Sequence, residues 1–309
     1  MDATSVLPTN RAPAGRAVAG LPTRRRFWRG GLHWSEYAWA VAFVVPYIAV
    51  FLAFVVYPVA FGMWMGSEPS LYTKLFDDPI YEMTVVNTLL YLAIAINVKM
   101  FLALLLSGFF MRPGWWVKAL LMVFVLPWAV PALPTFISIH WMLNGEWGLL
   151  NNLLYNLFHI NGPDWLTTRW TALGAAMISH IWKWLPFWTV ILLAGRMAIP
   201  QELYDAADVD GATGIRRFAH VTFPLLANLY LICTLLSTIF SLGDFNTVTF
   251  VTGGGPAMST HVLATLGIRD AFDLAQPRLG VAAVMSALPL MIPLVILLMR
   301  KLRTSEVQL

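Results

Sequence analysis

An all-α membrane protein with six transmembrane helices is the fold class this sequence predicts, on three observations. Of its 309 residues, 59% are hydrophobic and 12% are charged, whereas a soluble domain carries about 25% charged residues. Mean hydropathy is +0.69. Six apolar segments, Tyr37–Met63, Thr84–Phe110, Trp116–Met142, Trp170–Leu193, Leu225–Thr249 and Leu279–Met299, each reach the ~20 residues a helix needs to cross the bilayer core. They are continuous and do not alternate with period two, which argues against a closed β-barrel.

Residues 1–36 form a tail rich in Ala, Pro, Thr and Arg that ends in "TRRRFWRGG". That composition predicts a disordered stretch that becomes interfacial near the membrane. The first apolar run, 37–63, starts too late and runs too long for a signal peptide. A loop with Glu68, Asp77, Asp78 and Glu82 leads to the second span. The third span contains "LPWAVPALP". Prolines survive in spans only where neighbouring helices or a cavity satisfy the freed backbone groups, so each one reads either as an ordinary kink or as the wall of a pathway. Three in one run favour the pathway. Residues 143–169 carry an apolar helical pattern closed by Asn161-Gly162-Pro163, which reads as an interfacial helix and a turn. After the fifth span, "VTGGGPAMST" forbids helix and forces a sharp turn. Residues 301–309 form a short tail.

Orientation follows from the loops. With the N-terminus inside, fourteen Lys and Arg fall on the cytoplasmic side, against Lys74, Arg169, Arg269 and Arg278 outside. Both termini are therefore expected in the cytoplasm. The net charge of +4 expresses this topology, and no nucleic-acid partner is expected. Cys233 is the single cysteine and lies in the fifth span, so no internal disulfide can form.

One polar stretch, "ELYDAADVDGATGIRRFAHVTFPLL" (202–226), interrupts the apolar pattern on the cytoplasmic side. As a helix, it places Leu203, Ala206, Ala207 and Asp210 on one small face. Gly211 then stops or bends it. A second piece sets Ile215 and Phe218 against Arg216 and Arg217, and Pro224 marks re-entry into the membrane. From the residues alone, a docking helix and a plain surface loop both fit.

The stretch resembles the "EAA" loop of binding-protein-dependent ABC importer permeases, whose pattern is E-A-A, three residues, G, then a later F and P. Asp205 stands for the glutamate; Ala206, Ala207, Asp210, Gly211, Ala212, Phe218 and Pro224 match. Aspartate keeps the charge but is shorter by one methylene. "LPWAVP", "GLLNNLL", "WKWLPFW" and "FVTGGGP" resemble the carbohydrate (maltose/glycerol-phosphate-like) subgroup, in the family's order over residues 84–300. The resemblance implies a type I ABC importer permease fold in a bacterial inner membrane, with a core at 84–300 and a coupling loop at 202–224. In that loop, Asp205, Ala206, Ala207, Asp210, Gly211 and Ala212 would contact an ATPase subunit. The implied partners are an ATPase dimer that holds ATP and Mg, a second and different permease, and an extracytoplasmic binding protein that delivers a sugar or sugar derivative.

The chain itself is expected to be no enzyme. It has no G-x-x-x-x-G-K-[ST] for ATP, no His or Cys set at zinc-ligand spacing and no evident catalytic triad, so no cofactor or metal is expected. Ionisable groups inside spans point to function, and these are Lys99, Lys183 and Asp244. Both lysines lie at similar depth, roughly 20–22 Å from the outer end of their spans. Asp244 is shallower, and a direct pair with either lysine looks strained. Snorkelling and backbone carbonyls are the plain alternatives for each lysine, and cargo with an anionic group is the functional one. Trp182 could stack on a sugar ring. With Asn97, Ser241 and Asn246, these residues make the candidate cargo-binding set. His140 and His180 read as packing hydrogen bonds. The rival class, a self-sufficient ion-coupled secondary transporter, often shows internal repeats, and none is clear here.

Overall fold

The computed structural model describes residues 34–306, and the apolar segments there are helical. The N-terminal tail up to residue 33, with its expected disorder, lies outside the described residues. The chain divides into two units, residues 1–58 and 59–309. In the first, α1 (Trp34–Phe51) contains Pro46. Its large side chains, Phe43 and Tyr47 among them, are exposed, as suits a helix solvated by lipid.

In the second unit, α2 (Pro69–Phe76) is a short helix and α3 (Pro79–Phe110) is the second span. Asp78 caps α3 by accepting from the Ile80 amide at 2.9 Å, and Pro79 takes the first helical position, where no amide is needed. The third span is broken: α4 (Trp115–Ala129) and α5 (Ala132–Met142) meet at 95°. The break falls at Val130–Pro131, inside the proline run, because each proline removes an amide and clashes with the preceding turn. The interfacial helix is α6 (Leu149–Phe158). The fourth span is α7 (Arg169–Met197), followed by α8 (Gln201–Val209) and the fifth span, α9 (Ile215–Leu242).

The fifth span stops seven residues sooner than the apolar pattern predicts. Asp244 explains this, because its carboxylate accepts from the Thr247 amide at 3.2 Å and so starts a separate helix, α10 (Asn246–Val251). Next comes α11 (Leu263–Ile268). The sixth segment is split into α12 (Pro277–Met285) and α13 (Leu288–Glu306); Pro289 lacks the amide that would continue the helix. The glycine turn is as expected, with Gly253 and Gly254 at φ +61 and +79. By length and composition, four helices can each cross a membrane unbroken, and the bent α4–α5 pair adds a fifth span. The all-α membrane fold stands; of the six expected segments, among the described residues four are unbroken spans, the third is the bent pair, and the sixth is split into α12 and α13 without a span of its own.

The main core lies where α3, α7 and α9 meet. Ile96, Met100, Ala103 and Leu104 pack against Trp188, Leu192, Leu226 and Cys233. Alanines at Ala95, Ala103, Ala172 and Ala176 are fully buried, which lets the helices approach closely, as helix contacts in a bilayer require. These three helices also carry the polar residues described next.

Candidate functional site

Lys99 projects from α3 into the seam between α7 and α9 and is 1% exposed. Its Nζ lies 2.9 Å from His180 Nε2 and 3.4 Å from Ser241 Oγ. His180 Nδ1 faces Asp244 Oδ2 at 2.8 Å, and Thr247 Oγ1 donates to the same oxygen. The edge of Tyr91 closes over the imidazole, ring centres 5.0 Å apart. This pattern assigns a proton to Nδ1, since Asp244 can only accept there. Nε2 then accepts from the ammonium. A neutral imidazole thus bridges the cation and the carboxylate, and each buried charge has a partner.

Among the described residues Asp244 makes no direct ion pair with either lysine; His180 spans the gap to Lys99. The sequence reading treated His180 as a packing residue and left it out of the site. Helix spacing would have found it: His180, Trp184 and Trp188 follow i, i+4, i+8 on α7, and Ser237 and Ser241 follow i, i+4 on α9. Together they line a cavity of about 510 Å³, with Lys99, Phe240, Asp244 and Asn246. That volume lies within the usual range for small-molecule sites. Trp184 Nε1 and Ser237 Oγ, on two residues of the same wall, are buried without hydrogen-bond partners.

Not every candidate joins this cavity. Ser241, Asp244 and Asn246 line it; Asn97 does not. Its side chain is exposed and donates to Ala93 O of its own helix at 2.7 Å. Trp182, 47% exposed, lines two other cavities: one of about 680 Å³ with Trp165 and Trp170, and one of about 460 Å³ with Pro127 and Val130.

Lys183 is buried elsewhere, at the break of the third span. It donates to Pro127 O at 2.7 Å and to Val130 O. In an unbroken helix these carbonyls would receive the amides of residues 131 and 134, and both of those are prolines. The ammonium replaces two donors that the sequence deleted. Both lysines are therefore compensated within the chain, Lys183 by carbonyls and Lys99 through His180. The inference from uncompensated lysines to an anionic cargo is withdrawn.

The connection from α7 to α9 contains α8. The paired alanines do not share one open face. Ala207 is turned inward and 7% exposed, while Ala206 is exposed beside Leu203 and Asp210; Val209 and Ile215 are 88% and 86% exposed. The glycine break is real: Gly211 has φ +75, a conformation L-residues with a Cβ rarely adopt. Asp208 receives Arg217 Nη1 on both oxygens, at 3.0 and 2.9 Å, and Asp205 accepts from Gln201 at 3.0 Å. Among the described residues no cluster of three or more His, Cys, Asp or Glu could hold a metal.

Comparison with known proteins places this geometry. A family described as "binding-protein-dependent transport system inner membrane component" matches residues 99–303. The sulfoquinovosyl glycerol transport system permease protein SmoG of Agrobacterium fabrum is 32% identical over 300 residues, 90% of this chain and 95% of that one. The trehalose/maltose transport system permease protein MalF of Thermococcus litoralis is 28% identical over 256 residues, 77% of this chain and 85% of that one. Among solved structures, a chain of a bacterial ABC transporter involved in the import of the acidic polysaccharide alginate superposes with a TM-score of 0.76 at 20% identity, covering 87% of this chain and 96% of that one. A bacterial alginate ABC transporter in complex with alginate pentasaccharide-bound periplasmic protein supplies a second match, with a TM-score of 0.76 at 20% identity, covering 85% of this chain and 93% of that one.

Proposed function

We propose a specific working scheme from the premise that this chain belongs to the binding-protein-dependent transport system inner membrane components. It is a multi-pass membrane permease of a binding-protein-dependent importer for sugars. In our reading, the cargo is a sugar or sugar derivative received from an extracytoplasmic binding protein. The chain pairs with a second, different permease in a bacterial inner membrane, both termini in the cytoplasm. A separate ATPase dimer binds and hydrolyses Mg-ATP and docks on the segment around α8.

One observation carries the scheme. The two helices that supply most of the cavity wall, α7 and α9, are the two that the exposed α8 segment joins. A partner that moves α8 therefore pulls on the cavity. Aromatic side chains (Trp184, Trp188, Phe240) beside the polar side chains of Ser241, Asp244 and Asn246 suit a sugar, which presents an apolar ring face and hydroxyls. An anionic derivative stays within the proposal on a new ground, the sulfoquinovosyl glycerol and alginate named for its relatives.

The test is reconstitution of the four-component complex in liposomes with sulfoquinovosyl glycerol, trehalose and maltose as probes. ATP-dependent, binding-protein-dependent uptake of at least one is expected. Uptake by this chain alone under an ion gradient would instead establish the secondary-transporter reading. For docking, Asp205→Lys reverses an exposed charge and Gly211→Pro imposes φ near −65° where the chain has +75. Both should uncouple ATP hydrolysis from uptake, and wild-type coupling in both would sink the assignment.

A further inference from the structure

Arg196 ends α7 just before the α8 segment begins. Its side chain turns into the bundle. Nη2 donates to the Leu104 carbonyl of α3 at 2.9 Å. The guanidinium lies 5.4 Å from the ring centre of Phe218, at the start of α9. One residue thus joins the end of α7, the closing turns of α3 and the return from the α8 segment. Gly108 makes the room: a Cβ there would stand 2.8 Å from Nη1.

The α8 segment is braced within itself. Arg217 holds Asp208 through both carboxylate oxygens and lies 5.7 Å from the Tyr204 ring. The Ala212 amide donates to Ala207 O at 2.8 Å. The segment from α8 to Phe218 is therefore one piece, and Phe218 packs against the core shared by α3 and α7. On the other side of Arg196, Leu104 lies five residues along α3 from Lys99, about 7.5 Å of rise. A guanidinium suits this joint because it can lie against an aromatic ring and donate in its plane at once, which an ammonium cannot.

We propose that Arg196 is the positioning residue that passes movement of the α8 segment to α3, and so to the Lys99 wall of the cavity. The proposal rests on the reading of α8 as the ATPase-docking element.

The test uses the full complex, with a cysteine reporter at the cavity (Asn246→Cys in a Cys233→Ala background, partners freed of reactive cysteines) and the cationic thiol reagent MTSET. The readout is the ratio of labelling rates with and without Mg-ATP, so no cargo need be known. With Arg196 present, ATP should change the rate by at least ~5-fold, the lower end of ordinary allosteric coupling. Arg196→Ala should bring the ratio close to one, and Arg196→Lys should restore part of it. Should Arg196→Ala fail to assemble, Phe218→Leu removes the ring while keeping apolar bulk, and it should also lose the ratio. If Arg196→Ala keeps the wild-type ratio while Gly211→Pro abolishes it, the role of Arg196 is overturned and docking stands. If Gly211→Pro keeps the ratio, the docking reading falls and this proposal with it. A change in labelling that is equal with and without ATP marks Arg196 as merely structural and also overturns the proposal.

Discussion

Lys183→Met should loosen the break of the third span, and the structure sets the size of the effect. Lys183 is 2% exposed, and its ammonium serves the two carbonyls, Pro127 O and Val130 O, whose helical donors Pro131 and Pro134 cannot supply. Methionine keeps the stem but offers no donor. Each buried carbonyl left without a partner costs about 1–3 kcal/mol. Removing an ammonium from the interior returns part of that by relieving its desolvation. A net loss of about 2–4 kcal/mol is expected. The sole cysteine provides the assay. Cys233 is 2% exposed in the core of α3, α7 and α9, so a thiol-reactive dye reaches it only when that core opens. If opening and closing are fast, the labelling rate should rise about 30- to 700-fold, at tenfold per 1.4 kcal/mol. Pro131→Ala returns an amide to Pro127 O and should partly rescue Lys183→Met, a coupling that a double-mutant cycle detects. Labelling of Lys183→Met at the wild-type rate, or strict additivity with Pro131→Ala, would refute the reasoning.

Two further outcomes follow from buried histidines. His180→Phe preserves ring volume but leaves Lys99 and Asp244 as unbridged buried charges, at a cost of about 3–5 kcal/mol; the yield of intact complex after detergent extraction should collapse, and an undiminished yield counts against the network. Just after the glycine turn, burial pushes the His261 imidazole down from 6.5 to about 4. Because the folded state resists a proton that the unfolded chain accepts, stability is full above pH ~6.5 and falls as pH drops toward 4, by up to about 3 kcal/mol. Melting temperatures of wild type and His261→Gln across that window should converge at acid pH if this is right, and run parallel if it is wrong.

Some of this was open in the sequence and some was not. Hydrophobic length alone gives the first, second, fourth and fifth spans, and the 202–224 segment could be read because a polar run with a glycine stop is conspicuous among apolar neighbours. The breaks were harder. Asp244 looked like a charge inside a span, yet it serves as a helix start, and only the Thr247 contacts reveal that. Lys183 shows a different limit. Proline at 131 and 134 announces two orphan carbonyls at 127 and 130 by simple subtraction of four, but the donor that satisfies them sits over fifty residues away on another helix. Depth estimates set Lys99 and Asp244 apart, and the two make no direct contact. Such estimates could not supply the third residue, because a bridge across two helices is a rotational fact and depth measures only rise. Ala206 and Ala207 show the same gap between pattern and rotation: adjacent residues in a helix point about 100° apart, so one faces the bundle while the other stays open.

The Lys99–His180–Asp244 bridge bears on how such a cavity can change its opening from one side of the membrane to the other. A charge moved across the bilayer exchanges about 2.3 kcal/mol with each 100 mV of potential. A lone lysine on a moving wall would tie every cycle to the membrane voltage. Here the cation and the carboxylate belong to one hydrogen-bonded set drawn from α3, α7 and the α9–α10 junction, so the set carries little net charge if it moves together. The cavity can then offer polar contacts on either side with little electrical work of its own. Any voltage dependence of uptake should therefore follow the charge of the cargo. A neutral sugar cargo should enter at a rate insensitive to an imposed potential, and an anionic one at a rate that shifts with it. Strong voltage dependence with a neutral sugar would mean that the bridge breaks during the cycle and that Lys99 and Asp244 travel separately.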